Sequence, residues 1–488
     1  MRARVARSMF WIAWSRGALQ LLTFATTLLV ARILVPADYG VVALATNFTG
    51  HAGMLADMGL GSAIIQFRDL DRRELDTCFW ITMMIAIVFC AALSLGAPVI
   101  ADWFAVPRLA DVLPVMSLVL PIVACRMVSD SLLRKRLAFD RLAQAELIGA
   151  VVTLPIILGC ALGGLGVWTL VIGYLVAPAV RSAAIFAFAP WFPSFRIGGE
   201  RIREVVHFSL ATLSIKFMWS LRESANSLVL GKVTGQATIV GLYTMADDLA
   251  HLPGTKITPV INMLSSPVMA ELQTNIDAMR EAFYRTIRQT VAIVVPMSAG
   301  IVLVAEDMVA VLLGPKWLAA VPLIRLIALY AAVRAMDPVL PSVLFARRRE
   351  RFLFWYCLVL LILMPAAAIL GAIWDGAAGM ILFYTPAYCG VMIFMAREAL
   401  AELKGKFSDL WSQTWAIMAA TAAMTVVVLV LGELASFAQV GSPLLRLVLF
   451  STAGAVTYCA VLFAIGSPVV SESIEVAGWV IGRHRAEK

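Results

Sequence analysis

Ala31-Arg32-Ile33-Leu34-Val35-Pro36-Ala37-Asp38-Tyr39-Gly40 opens a helix-like run in the first half of the chain. In the second half, Leu230-Gly231-Lys232-Val233-Thr234-Gly235 leads into Gly241-Leu242-Tyr243-Thr244-Met245-Ala246. The glycine-to-alanine spacing is the same in both, Gly40 before Ala45 and Gly241 before Ala246. Around these phrases run fourteen apolar stretches, each about the length a bilayer requires. A polytopic chain with a repeated half is the layout of a transporter, in which two lobes rock about a central site.

Composition demands a lipid solvent. Of 488 residues, 61% are hydrophobic and only 14% charged, and the mean hydropathy is +0.89. A soluble protein of this size has too little polar surface to cover so much apolar matter. Fourteen spans of about 20 residues each use roughly 280 residues, which leaves short connectors and no loop long enough for a separate soluble domain. The expected fold class is therefore an all-α polytopic membrane protein of about 14 transmembrane helices, with two pseudo-symmetric six-helix lobes and two C-terminal helices.

The spans are expected near 9–31, 41–65, 78–101, 112–133, 146–163 and 165–190 in the first lobe. The second lobe follows with 206–231, 240–265, 289–313, 319–345, 352–374 and 376–397, and then two helices near 411–432 and 443–466. The segment Trp191-Phe192-Pro193-Ser194-Phe195-Arg196-Ile197-Gly198-Gly199 marks the lobe boundary. The expected divisions are 1–195, 196–400, 401–470 and a cytoplasmic tail at 471–488. The run from Met9 to Val30 is too long for a signal-peptide core and lacks a small-residue cleavage site, so it reads as a retained first helix.

Basic residues alternate between connectors. One side holds 26 of the 39 Lys and Arg residues, whereas the opposite connectors hold Arg32, Arg108, Lys232 and Lys316. This asymmetry places both termini in the cytoplasm and accounts for the basic pI of about 9.2 without nucleic acid as a partner. The 7 cysteines all lie in apolar runs with no CxxC pair, and the 4 histidines do not cluster at metal-ligand spacing. No GxxxxGK[ST] or HExxH occurs, so neither a nucleotide-driven pump nor a zinc protease is indicated, and no motif calls for a cofactor.

Nine basic residues fall within or at the ends of spans: Arg16, Arg126, Arg181, Lys216, Arg222, Lys256, Arg325, Arg334 and Arg446. A charge at bilayer depth costs about 2.5–3.5 kcal/mol, so it persists where water or a partner compensates. The acidic residues at similar depth are Asp57, Asp130, Glu223, Asp247, Asp248 and Asp337. This surplus of cations favours an anionic substrate such as a phosphate or diphosphate head group. Local neutralisation competes with that role: Arg126 with Asp130, Arg222 with Glu223, and Arg334 with Asp337, while Arg181, Arg325 and Arg446 are placed to snorkel. Arg16, Lys216 and Lys256 have no acidic residue within one turn of sequence. Asp247 stands four residues before His251, so Asp247, Asp248 and His251 form a candidate ion-coupling cluster, with a solvated helix end as the alternative. His51 sits one position off the corresponding place in the first lobe.

The stretch Arg32 to Gly40, followed by Leu55-Ala56-Asp57-Met58-Gly59-Leu60-Gly61-Ser62-Ala63-Ile64-Ile65-Gln66, resembles the polysaccharide transporter family. That family holds the Wzx-type flippases of the multidrug/oligosaccharidyl-lipid/polysaccharide exporter superfamily. Gly241 to Ala246, Pro267-Val268-Met269-Ala270-Glu271-Leu272-Gln273 and Leu313-Gly314-Pro315-Lys316-Trp317 are similar to its recurrent phrases. The resemblance spans roughly residues 10–400 and implies a cavity lined by the first, second, seventh and eighth spans. It places Arg16, Lys216, Arg222 and Lys256 as substrate-binding residues. It also implies transfer of undecaprenyl-diphosphate-linked oligosaccharide across the bacterial inner membrane, with membrane lipids and other polysaccharide assembly proteins as partners. The specific sugar is unassigned. A multidrug/cation antiporter would favour an acidic cavity, and a polysaccharide polymerase or ligase would need a long periplasmic loop that this chain does not have.

The basic connectors predict that reporter fusions at Ala37, Arg136 and Arg349 read outside, inside and inside. A periplasmic signal at Arg136 contradicts this map.

Overall fold

The computed structural model describes residues 23–67, 70–195, 197–255, 268–334, 336–337, 339–437 and 441–472, without the side chains of Ala211, Thr212, Ile215, Lys216 and Trp219. Arg16, Lys256 and the tail from residue 473 lie outside the described residues. Every regular element described is helical.

Two compact units divide the chain, Met1–Thr244 and Met245–Lys488. The first holds α1 (Thr23–Ile33), α2 (Pro36–Asp57), α3 (Leu60–Gln66), α4 (Arg72–Phe104), α5 (Leu109–Ser117) and α6 (Val119–Lys135). It continues with α7 (Phe139–Leu162), α8 (Val167–Phe188), α9 (Ile202–Thr234) and the first turns of α10 (Ala237–Ala250). The second unit holds α11 (Ile276–Leu312), α12 (Val321–Arg334), α13 (Val339–Ala346), α14 (Glu350–Glu402), α15 (Phe407–Phe437) and α16 (Pro443–Ala464).

By length and composition, 9 helical segments among the described residues can cross a bilayer, so the chain is a multi-pass membrane protein. One of them makes two crossings. As a straight rod, the 53 residues of α14 would run about 80 Å, far beyond a bilayer. The helix breaks at Asp375 (φ −151°, ψ 46°) and Gly376 (φ 53°, ψ −132°), between the two spans expected there. Its arms fold back so that the rings of Phe352 and Phe394 sit 5.5 Å apart. A Cβ at either Gly371 or Gly379 would fall 2.3 Å from the other's carbonyl oxygen, so only glycine permits this hairpin corner.

Other spans are broken where the sequence shows a single run. Pro36 starts α2 at the position where its missing N–H and fixed φ are harmless, five residues earlier than expected. The helix ends in left-handed Met58 and Gly59, and α3 completes the run. The expected span at 112–133 is α5 and α6, which meet at Leu118. Two helices that are long enough to span, α2 with 22 residues and α9 with 33, are too polar to join the nine.

The Pro/Gly segment at 191–199 lies inside the first unit and is fastened to the start of α4. Fully buried Asp76 accepts hydrogen bonds from the Ser194 backbone N–H and hydroxyl. The Thr77 hydroxyl contacts both the N–H and carbonyl of Gly198 at 2.9 Å, and the Trp80 indole stacks on Phe195. These bonds satisfy a loop backbone that would otherwise be orphaned.

The repeated phrases meet each other. A Cβ on Gly40 would lie 1.7 Å from the Ala237 carbonyl oxygen, and one on Gly241 would lie 1.9 Å from the Pro36 carbonyl oxygen. Each would also sit 2.9 Å from the other glycine's nitrogen. Helices α2 and α10 therefore cross backbone to backbone through equivalent residues of the two halves, the close approach that small residues allow in membranes. Ala45 and Ala246, the partners in the repeat, are both 0% exposed. Within the first unit Gly231 of α9 packs on Leu44 and Phe104.

Gly40→Val therefore forces a side chain into backbone and should destabilise the purified protein by at least about 1–3 kcal/mol. On the same helix Gly50 has nothing within 4 Å, so Gly50→Ala should be neutral or stabilising by up to about 1 kcal/mol. Melting curves in detergent that show equal stability for the two variants contradict the crossing.

Candidate functional site

Helix α6 carries Arg126, Asp130 and Arg134 one turn apart on one face. The local pairing of Arg126 with Asp130 expected from that spacing does not form. Asp130 instead accepts from Arg134 Nε at 2.6 Å and faces Arg181 Nη2 of α8 at 3.9 Å. Arg181 Nη1 also donates to Glu146 of α7 at 3.2 Å, so Arg181 is tied between helices and does not snorkel. With Asp130 turned away, Arg126 Nη1 is buried without a hydrogen-bonding partner among the described residues, as is Arg181 Nε. Such donors carry a desolvation cost of about 1–3 kcal/mol each, more for charged groups.

Two cavities in the first unit share these arginines. One, of about 620 Å³, is polar and lined by Thr49, Asp57, Ser62, Ser131 and Tyr174 together with Arg126 and Arg181. The other, of about 440 Å³, runs along α1, α7 and α8 past Val30, Leu154, Ile157 and Leu170, and ends at Arg126, Glu146 and Arg181. The presence of Arg126 inside an apolar stretch is visible in sequence. Its convergence with Arg181, from a helix 55 residues further on, is not.

Of the substrate-binding residues nominated from sequence, Arg16 and Lys256 lie outside the described residues, and Lys216 is placed on α9 by its backbone alone. Arg222 on the same helix is half-buried and its neighbour Glu223 is exposed. Among the remaining cations, Arg446 pairs with Asp307 at 2.8 Å, Arg334 with Asp337 at 3.5 Å, and Arg325 with Glu306 at 3.9 Å.

The Asp247–His251 spacing makes the contact it predicts. His251 Nδ1 lies 3.1 Å from Asp247 Oδ1, while Asp248 is exposed. The His251 ring meets Tyr330 edge-on at 5.9 Å, and Tyr330 packs in turn on Tyr384 and Tyr388. His51 on α2 shares the arrangement: its Nδ1 reaches the carbonyl of Asn47 as that of His251 reaches the carbonyl of Asp247. In both imidazoles Nε2 is buried without a partner among the described residues. The offset of one position between the halves thus leaves the same local chemistry.

A profile of the family described as polysaccharide biosynthesis protein matches residues 29–322. The chain belongs to this family. It is 26% identical over 370 residues to the lipopolysaccharide biosynthesis protein WzxC of Escherichia coli K12, which covers 72% of each chain. It is also 26% identical over 377 residues to the succinoglycan biosynthesis transport protein ExoT of Rhizobium meliloti, covering 76% of this chain and 75% of that one. Among solved structures, the lipid II flippase MurJ matches with a TM-score of 0.68 at 13% identity, over 90% of this chain and 98% of that chain. A multidrug resistance MATE transporter of the MOP superfamily matches with a TM-score of 0.65 at 15% identity, over 81% and 96%. The fold is that of these all-helical transporters, as the repeated half implies.

Proposed function

We propose that the chain moves polyprenyl-diphosphate-linked oligosaccharide units from the cytoplasmic to the periplasmic leaflet of a bacterial inner membrane by alternating access, for surface polysaccharide assembly. The observation that carries this reading is the joint relationship. Sequence relatives matched over about three quarters of their length are named for polysaccharide biosynthesis, one of them as a transport protein, and the fold is shared with a lipid flippase. A substrate of this kind offers phosphates to membrane-embedded cations, which gives the arginine content of the spans a purpose. In this reading Arg16, Lys216, Arg222 and Lys256 serve the substrate, both termini are cytoplasmic, and no bond is made or broken. The two lobes, 1–195 and 196–400, move about the central site. Drug/cation antiport, a second reading favoured by the MATE-like fold, lacks this support from sequence relatives.

Deleting the gene should abolish the surface polysaccharide and make lipid-linked units accumulate on the cytoplasmic side, with full rescue by the wild-type chain. Unchanged surface polysaccharide and no accumulation contradict the proposal.

Export against a gradient without a nucleotide site draws on ions, on membrane potential or on consumption of product. In this reading Asp247, Asp248 and His251 exchange a proton, which the contact between the His251 imidazole and the Asp247 carboxylate supports. Asp247→Asn should flatten the pH dependence of transport in proteoliposomes. Intact transport with an unaltered pH profile in Asp247→Asn/Asp248→Asn assigns this cluster to structure.

A further inference from the structure

The two cavities that meet at Arg126 and Arg181 lie in a definite order. The groove beside α1, α7 and α8 is walled mainly by Val30, Leu154, Ile157 and Leu170, with the Thr153 hydroxyl buried there and unpartnered among the described residues. Within it Thr27 turns its hydroxyl back to the Thr23 carbonyl at 3.0 Å, which withdraws one polar group from the lining. The chamber on the other side is lined by Ser62, Ser131 and the carboxylate of Asp57, with the Thr49 and Tyr174 hydroxyls bonded to each other at 2.9 Å. Between them stand the two guanidinium groups, which oppose each other electrostatically and have buried donors without acceptors among the described residues.

Building on the transport reading above, we propose that these cavities form one site, within the first unit, for a lipid joined to a sugar through phosphate. The hydrocarbon lies along α1, α7 and α8, the phosphates sit between Arg126 and Arg181, and the first sugar occupies the chamber.

The unmet donors, and not the net charge, support an anion at the junction. The groups that face it are Arg126, Arg134 and Arg181 against Asp57, Asp130 and Glu146. Asp130 is engaged by Arg134 and Arg181, and Glu146 by Arg181, so their hydrogen bonds go to other cations, and Arg126 Nη1 has no acceptor among the described residues. A phosphate oxygen would satisfy Arg126 Nη1 and Arg181 Nε together and screen the repulsion between the two cations. A neutral head group could accept from those donors but would not offset the repulsion between the two cations, and a cationic one would add to it. The chamber's hydroxyls and carboxylate both donate and accept, as sugar hydroxyls require. The sequence of apolar groove, paired cations and polar chamber therefore repeats that of isoprenoid, diphosphate and sugar. A free phosphate uses the junction alone, and a bulk phospholipid supplies no sugar to the chamber.

Farnesyl diphosphate is the probe, with farnesol, inorganic pyrophosphate and phosphatidylglycerol as separate arms, tested on the full chain in nanodiscs. Farnesyl diphosphate should bind saturably, at least about tenfold tighter than farnesol or pyrophosphate, since one molecule then gains both contacts. Arg126→Gln and Arg181→Gln should each weaken it roughly ten- to a hundredfold, the size of one lost charge-assisted hydrogen bond. Leu154→Trp fills the groove and should weaken farnesyl diphosphate while leaving pyrophosphate binding unchanged. Arg126→Lys, which keeps the charge, covers the case in which the Gln variants fail to fold, and it should retain weakened binding. Wild-type affinity in folded Arg126→Gln and Leu154→Trp overturns the site, as does equal binding of phosphatidylglycerol. If those variants also transport normally, the site falls and the transport reading stands. If the wild-type chain binds farnesyl diphosphate through Arg126 but moves no lipid-linked oligosaccharide, the transport reading falls and the site stands.

Discussion

The first unit is held by a crossing that has no room for a side chain. Gly40 and Gly241 each face the carbonyl of the other helix, Ala237 and Pro36, so contact is made by backbone and not by packed side chains. In lipid, where apolar surface gains nothing by leaving the solvent, such close approach is a principal source of helix association. The crossing pulls the start of α10 against α2 and brings α9 alongside through Gly231, Leu44 and Phe104. It thereby sets the more polar helices α2 and α9 together, with the His51 ring edge-on to Phe217. Because the contact joins equivalent residues of the two halves, it is the physical content of the sequence repeat.

Much of the architecture could be read from the chain because the bilayer is a severe constraint. Length alone divides residues 352–397 into two spans, and the structure breaks α14 at Asp375 and Gly376 for that reason. The Gly40 and Gly241 phrases are visible as a repeat, although sequence does not show that they touch. Local spacing succeeded where the partner was local, as for Asp247 with His251 and Arg334 with Asp337. It failed for Arg126 and Asp130, because Asp130 has better-placed cations in Arg134 and, across the bundle, in Arg181. An i,i+4 rule describes one helix surface and says nothing about a guanidinium arriving from another helix. The segment at 191–199 reads as a lobe boundary from its Pro and Gly content, and sequence does not show that Asp76 and Thr77 give its backbone specific partners.

The polar groups of the spans thus fall into two kinds. Some are matched pairs whose cost is contained locally, such as Arg334 with Asp337, and these report on folding. Others, Arg126, Arg181 and Arg446, keep a buried guanidinium N–H without a hydrogen-bond partner among the described residues, and such a donor inside the membrane is expensive enough to point to function. That distinction moves attention from the number of cations in the membrane to their unmet hydrogen bonds.

The most direct test of the account is a leaflet assay with purified protein. A fluorescent polyprenyl-diphosphate-linked oligosaccharide is placed in both leaflets of liposomes, and a membrane-impermeant reagent is added outside. With the protein present, the reagent should consume label from both leaflets, whereas protein-free liposomes should stop at the outer leaflet. Consumption limited to the outer leaflet in liposomes that contain folded protein would contradict the claim that this chain moves lipid-linked oligosaccharide across a bilayer.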